Sequence, residues 1–313
     1  MNLNKITIIV PCFNEENHVD KFIDRLQNKC ISLKYDYEII FVEDGSTDQS
    51  FNIIKNKIEN NPKLKLIKLS KNYGFHIAVS AGIDHVINSE LIIVCPLDDI
   101  ELTKYFEDLI EKFYTGCDIV WMVREKRKKT FVSKFFAKTF YKLFKFLSGF
   151  NNYPENGTSA LFLISKRVAE EFKKFKEANR VTNTLLYSMG FKQGQVKFDE
   201  NDDIRKSSYT FVKKLKIAID SIVSNSYMPM RIMSLLGLMF SFFSFIYLFF
   251  IIKDYFFNNI LVEGWASIII IVTLLGGIQL LTLGILGEYL WRTSNDSKRR
   301  PLYLLDKTIG FKD

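Results

Sequence analysis

The chain has few of the residues that build metal and disulfide frameworks. Its 313 positions include four cysteines, Cys12, Cys30, Cys95 and Cys117, with no C-x-x-C pair, and only three histidines. A structural zinc site and a disulfide scaffold are both disfavoured, and scattered thiols fit a reducing compartment. Two glycine signatures are missing as well. Neither G-x-G-x-x-G nor G-x-x-x-x-G-K-[ST] occurs, which argues against an ordinary dinucleotide site or a P-loop. The first residues, Met1-Asn2-Leu3-Asn4-Lys5, lead straight into a β-like run, so no signal peptide is expected.

Charge is missing from two long stretches. Residues 232–252 carry no charged side chain over 21 positions, and 265–286 is a second such run whose strongly polar member is Gln279. At 1.5 Å per residue the first covers the roughly 30 Å of a bilayer core. Soluble helices rarely stay apolar all round for this length, so two membrane helices within 231–290 are expected rather than a buried pair. The stretch 253–264 is too short for a domain and makes them a hairpin. Lys213, Lys214, Lys216 and Arg231 precede it, Arg292, Lys298, Arg299 and Arg300 follow it, and the loop has one lysine, Lys253. The positive-inside rule then places both termini in the cytoplasm. Gly276, Gly277, Gly284 and Gly287 would allow close helix approach, either between the two spans or within a homo-oligomer.

The remainder reads as a folded, soluble domain. An apolar share of 48% with 25% charged residues is unlike a disordered or collagen-like chain. Apolar strand-like runs at 6–10, 38–42, 64–69, 91–95 and 119–123 alternate with helical patterns at 15–28, 47–59, 75–86 and 102–114. Continuous apolar strands between helices predict an α/β fold with a mostly parallel, Rossmann-like sheet covered on both faces. Ligands of such sheets bind beyond the carboxyl ends of the strands.

The polar groups after each strand are therefore the candidate site residues. They are Pro11, Asn14 and Glu15 after the first strand, Glu43 and Asp44 after the second, Lys71 and Asn72 after the third, and Asp98, Asp99 and Glu101 after the fourth. Carboxylates gathered at one rim repel each other, which implies a divalent cation or sugar hydroxyls as partners.

These same segments carry a resemblance. Ile8-Ile9-Val10-Pro11-Cys12-Phe13-Asn14-Glu15-Glu16 with Val42-Glu43-Asp44-Gly45-Ser46-Thr47-Asp48 resembles the inverting family 2 glycosyltransferases of GT-A fold. Lys71-Asn72-Tyr73-Gly74, Gly287-Glu288-Tyr289-Leu290-Trp291-Arg292 and Lys298-Arg299-Arg300-Pro301-Leu302-Tyr303 resemble segments of their polyprenyl-phosphate branch, which includes dolichol-phosphate mannose synthases and bacterial bactoprenol-phosphate glucosyltransferases.

The resemblance implies a UDP- or GDP-sugar donor bordered by Pro11, Asn14, Glu15, Glu43, Asp44, Lys71 and Asn72. It implies Mg²⁺ or Mn²⁺ on Asp98 or Asp99, with Glu101 as a base or acceptor-positioning group. It also implies a polyprenyl (undecaprenyl) phosphate acceptor near Arg180, Arg205, Lys206 and Ser207, and a place in the bacterial inner membrane. Two segments depart from the family pattern. Where relatives read Asp-x-Asp-Leu-Gln-Asp, Pro96 takes the first Asp, Asp98 the second and Glu101 the third, and an Asp98-Asp99 pair is an equally good register. At 202–209, Asp202 and Arg205 replace the Arg and Gly of Arg-x-x-Gly-x-Ser-x-Tyr.

Residues 131–150 alternate a lysine stripe (Lys134, Lys138, Lys142, Lys145) with an apolar one (Phe136, Phe140, Leu143, Leu147), directly after a basic run at 124–129. A basic amphipathic helix in the headgroup layer is expected, and nucleic acid is not, since stacking modules are missing. The predicted organisation is a catalytic domain over 1–210, a juxtamembrane helix at 211–230, the two spans, and a cytoplasmic basic tail at 291–313. The rival readings are a polysaccharide synthase, although no Gln-x-x-Arg-Trp motif occurs, and a non-catalytic membrane scaffold of the same descent.

Overall fold

The computed structural model describes residues 5–59, 61–125, 158–178, 180–199, 228–257 and 264–311. The amphipathic segment at 131–150, the segment 202–209 with Arg205, Lys206 and Ser207, and most of 211–230 lie outside the described residues.

Eight strands form one sheet: β1 Lys5–Cys12, β2 Asp36–Glu43, β3 Leu64–Leu69, β4 Leu91–Val94, β5 Ile119–Arg124, β6 Thr158–Ser165, β7 Gln193–Phe198 and β8 Leu305–Ile309. Their order across the sheet is β7-β5-β6-β4-β1-β2-β3-β8. The pairs β1–β2, β1–β4, β2–β3 and β5–β7 are parallel, whereas β4–β6, β5–β6 and β3–β8 are antiparallel. The sheet is thus mixed and mostly parallel, as its apolar strands predict.

Strand alternation divides the core into two layers. Ile6, Ile8 and Val10 of β1 face one side, with Phe22 and Leu26 of α1 (Val19–Ser32), Ile54 and Ile58 of α2 (Ser50–Glu59), and Phe106 and Leu109 of α4 (Phe106–Tyr114). Ile9 faces the other side, with Ala78 and Val79 of α3 (Phe75–Asp84), Val168 and Phe172 of α5 (Lys166–Phe172), and Leu185 and Leu186 of α6 (Thr182–Ser188). Trp121 is fully buried in the second layer, stacked on Tyr187 at 4.8 Å, and its Nε1–H donates to Gln193 Oε1 at 2.9 Å. Removing a ring so placed costs on the order of 3–5 kcal/mol.

Two long helices follow, α7 Met228–Phe257 and α8 Trp265–Ser297, and they touch each other. Within α8, Leu274–Ser297 is long and apolar enough by length and composition to cross a membrane, and none of it is buried. In α7 the corresponding apolar stretch, Met230–Ser244, is shorter. Leu238, Phe242, Phe249, Leu280 and Trp291 all project outward, each more than 60% exposed.

The segment after α8 is not the simple tail that its charge suggests. The last turn of α8 and the segment after it come back to the sheet: Asp296 Oδ1 accepts from Ala178 N–H (3.0 Å), Tyr303 donates to Asp84, and Leu304 O accepts from Ser70 N–H (2.9 Å). β8 then pairs with β3, where Lys68 meets Asp306 at 2.9 Å. Its side chains are mostly exposed because it is an edge strand, so its sequence shows no continuous apolar run.

Candidate active site

Four parallel strands, β4-β1-β2-β3, bring the turns at their carboxyl ends to one rim. The first two turns are knitted by side chains. Asn14 adopts a left-handed backbone (φ 53°), a conformation that asparagine tolerates better than most residues. Its N–H donates to Ser46 Oγ (3.0 Å) while its Oδ1 accepts the Thr47 N–H (2.9 Å). Glu15 N–H donates to Ser50 Oγ (2.7 Å). Pro11 is buried opposite Val42, in register with the end of β2.

The second turn also grips the third. Asp44 is almost fully buried, and its two oxygens accept the N–H groups of Tyr73 (2.7 Å) and Gly74 (2.8 Å). Burial raises its pKa, the two amides pull it down, and the neighbouring Glu43 pushes it up. Gly45 takes φ 69°, and a Cβ there would stand 2.3 Å from the Lys71 carbonyl carbon. Only glycine fits both constraints. Lys71 and Asn72 are left exposed at the lip, with Lys71 Nζ 5.1 Å over the Tyr73 ring. Glu43 is fully buried: Oε1 accepts from Ser46 N–H, and Oε2 is buried without a hydrogen-bond partner among the described residues.

The fourth turn is a 3₁₀ helix, Leu97–Tyr105, that runs into α4, where the sequence predicts one helix from 102 to 114. It splits the two adjacent carboxylates. Asp98 is exposed at the rim, while Asp99 is buried and accepts a hydrogen bond from Ser159 Oγ at 2.5 Å. Glu101, expected as a base, is turned to α1, where its carboxylate meets the Arg25 guanidinium at 2.7 Å. Between Asp98 and Glu101 the backbone departs from helical geometry at Asp99 (φ −99°, ψ 19°), and Arg25 is there to hold the Glu101 carboxylate.

Arg180, expected to bind phosphate, is also placed elsewhere. It is 7% exposed, and its Nε, Nη1 and Nη2 donate to Glu177 O (3.1 Å), Ser80 Oγ (2.9 Å) and Phe175 O (2.7 Å). Burial lowers its pKa against the opposing charges of Glu177, Asp84 and Tyr303. It cements the loop before α6 to α3.

Three site neighbours escape a sequence reading. His76 is held by Thr182, whose N–H donates to Nδ1 at 3.2 Å, so the neutral ring carries its proton on Nε2. Burial, aided by the Arg180 charge, lowers its pKa to about 4. Asn183 Nδ2 donates to Thr158 Oγ1 at 2.9 Å. The third is Ser159 beside Asp99. No local pattern marks any of them, because their partners are distant in sequence.

Among the described residues no group of three or more His, Cys, Asp or Glu side chains could hold a metal by itself. The donor set still suits a hard divalent ion that completes its shell with phosphate oxygens: Mg²⁺ commonly takes only one or two carboxylates plus the substrate's phosphates. Asp98 and Asp99 would be those carboxylates.

This rim can be set beside known proteins. The sequence model described as Glycosyl transferase family 2 matches residues 7–177, more than half of the chain. The chain belongs to this family. As a family 2 glycosyltransferase it is similar to an uncharacterized glycosyltransferase of Bacillus subtilis, YkcC, with 34% identity over 98% of this chain and 95% of the relative. It is 30% identical to the prophage bactoprenol glucosyl transferase homolog of Escherichia coli, over 97% of this chain and 99% of that one. Glucosyl-3-phosphoglycerate synthase from Mycobacterium tuberculosis, solved with Mn²⁺, UDP and phosphoglyceric acid, shares the GT-A fold. The TM-score is 0.51 at 13% identity, over 71% of this chain and 78% of that one. The glycosyltransferase's family match ends at 177, just before the Arg180 loop and α6, whereas its relatives continue through both long helices.

Proposed function

We propose that this glycosyltransferase moves a sugar from a UDP- or GDP-sugar to polyprenyl phosphate with inversion, giving a lipid-linked monosaccharide. The observation that carries the reading is the extent of likeness to the bactoprenol glucosyl transferase homolog, which runs through α7 and α8 instead of stopping at the family domain. In this proposal the nucleotide lies along the turns of Pro11, Asn14, Glu15, Glu43 and Asp44, with Lys71 and Asn72 at the diphosphate. Asp98 and Asp99 would hold Mg²⁺ or Mn²⁺, which when bound offsets the charge developing on the leaving diphosphate.

The lipid phosphate oxygen attacks the anomeric carbon as the bond to the diphosphate breaks from the opposite face, and the nucleoside diphosphate departs. A phosphate nucleophile is already anionic near pH 7, so little is asked of a general base. The commitment of Glu101 to Arg25 is consistent with that. Arg205, Lys206 and Ser207 are the groups assigned to the acceptor phosphate.

We further infer that α7 and α8 cross the bacterial inner membrane as a hairpin with the domain in the cytoplasm. Their outward apolar side chains form a surface far beyond what a soluble monomer exposes. β7 precedes α7 and β8 follows α8 in one sheet, which supports an even number of crossings. Arg231 before and Arg292, Lys298, Arg299 and Arg300 after agree in sign.

The test incubates purified protein with undecaprenyl phosphate, Mn²⁺ and a panel of UDP- and GDP-sugars, and identifies the lipid by mass spectrometry. A lipid gaining one sugar is the expected result. No product from any donor would overturn the reading.

A further inference from the structure

We propose that Asn183 is a specificity-determining residue, its buried side-chain oxygen accepting a hydrogen bond from one hydroxyl of the transferred sugar. The inference rests on the transfer reaction proposed above and names the group that reads its sugar.

The argument starts from an unmet hydrogen bond. Asn183 Nδ2 is satisfied by Thr158 Oγ1 at 2.9 Å, while Oδ1 is shut away from solvent with no partner among the described residues. Exchanging the two amide atoms does not remove the problem, since one end of the group stays open either way. An unpaired buried polar group is unfavourable, and in a folded protein it marks a strained or a ligand-completed position.

Its neighbours decide which. Thr158 opens β6 beyond Phe162, the partner of Val94 at the end of β4, so it stands at the rim; paired with Val123, it faces the layer of α3 and α6, on the side of the sheet opposite Ser159 and Asp99. On its other flank, Thr182 is bonded to His76, two residues beyond Gly74, whose N–H is held by Asp44. Asn183 therefore stands at the rim, on the α3 side of the sheet, beside the turn assigned to the nucleotide. The sugar is joined to the nucleotide's diphosphate, and hydroxyls are what it offers in all directions. Glu43 Oε2, also buried without a partner among the described residues, lies within the nucleotide turns themselves. A site built to pair a substrate hydroxyl discriminates strongly against analogues without it.

The experiment compares the wild type, Asn183→Ala and Asn183→Leu. Each is given the preferred donor and its single-deoxy analogues, with undecaprenyl phosphate as acceptor. In the wild type, removal of one particular hydroxyl should lower kcat/KM roughly 10- to 100-fold. Both variants should lose a similar factor on the full donor yet treat that deoxy donor like the wild type does, and calorimetric binding of free UDP or GDP should not change. Asn183→Leu keeps the volume and supplies the answer where alanine fails to fold. Undiminished hydroxyl discrimination in the variants would overturn this proposal alone, including the case of an ordered water on Oδ1. A wild type that transfers no sugar from any donor would overturn the underlying reaction instead.

Discussion

Tyr303 donates its phenolic hydrogen to Asp84 Oδ2 at 3.0 Å, joining positions 219 apart in the chain. With the Asp296–Ala178 contact and β8, it ties the end of α8 to the catalytic sheet. Tyr303→Phe keeps the ring and leaves a half-buried carboxylate without its donor, a loss of about 1–3 kcal/mol. Hydrogen exchange of β8 amides should speed up roughly 5- to 150-fold while β1 amides stay unchanged. Equal exchange in both proteins would show that β8 is held without this bond.

Gly45 is where the second and third turns meet backbone to backbone. Gly45→Ala must accept both a left-handed φ, at about 1–3 kcal/mol, and a collision with Lys71. Nucleotide-sugar affinity, measured by calorimetry, should fall at least roughly tenfold, beyond any change in thermal midpoint.

Asp98 and Glu101 occupy one short helix with different surroundings, and their substitutions should separate. Asp98→Ala together with Asp99→Ala is expected to lower transfer roughly 10²- to 10³-fold and to abolish Mn²⁺-dependent donor binding. Glu101→Gln loses only an exposed ion pair with Arg25, worth about 0–1 kcal/mol, and should stay within roughly threefold of wild-type turnover. A large loss on Glu101→Gln would return it to the reaction centre.

His76 makes stability depend on pH in a direction that follows from its burial. Its folded pKa of about 4 lies below the unfolded value of 6.5, so the unfolded chain binds a proton first. The contribution is complete above pH 6.5 and declines as pH falls from 6.5 to about 4, by roughly 3 kcal/mol in all. Urea midpoints measured across pH 4–8 should slope less in His76→Asn than in the wild type. Parallel curves would mean that the ring is solvated or already charged.

The first five strands and their rim were legible because they are short and mostly apolar, and 64–69 coincides with β3 although Lys65 and Lys68 interrupt it. Side-chain direction was not legible. Glu101 sits within three residues of Asp98, yet Arg25, 76 positions away, decides where it points. The sequence puts Arg180 at the acceptor phosphate, but two backbone carbonyls and Ser80 give it a place inside. Thr182 and His76 meet across 106 positions, and Asn183 reaches Thr158 on another strand. β8 was hidden for a different reason: an edge strand with exposed side chains has no apolar signature.

The position of β8 also imposes an order on synthesis. Both long helices stand between β3 and its outer partner in the sequence, so a ribosome must make α7 and α8 before that flank of the sheet can be covered. Until then β3 offers a bare row of amide and carbonyl groups, a template for mispairing with other nascent chains. Synthesis of both helices thus comes before the closing of the sheet, and a chain cut between them would keep a sticky margin for quality control to find.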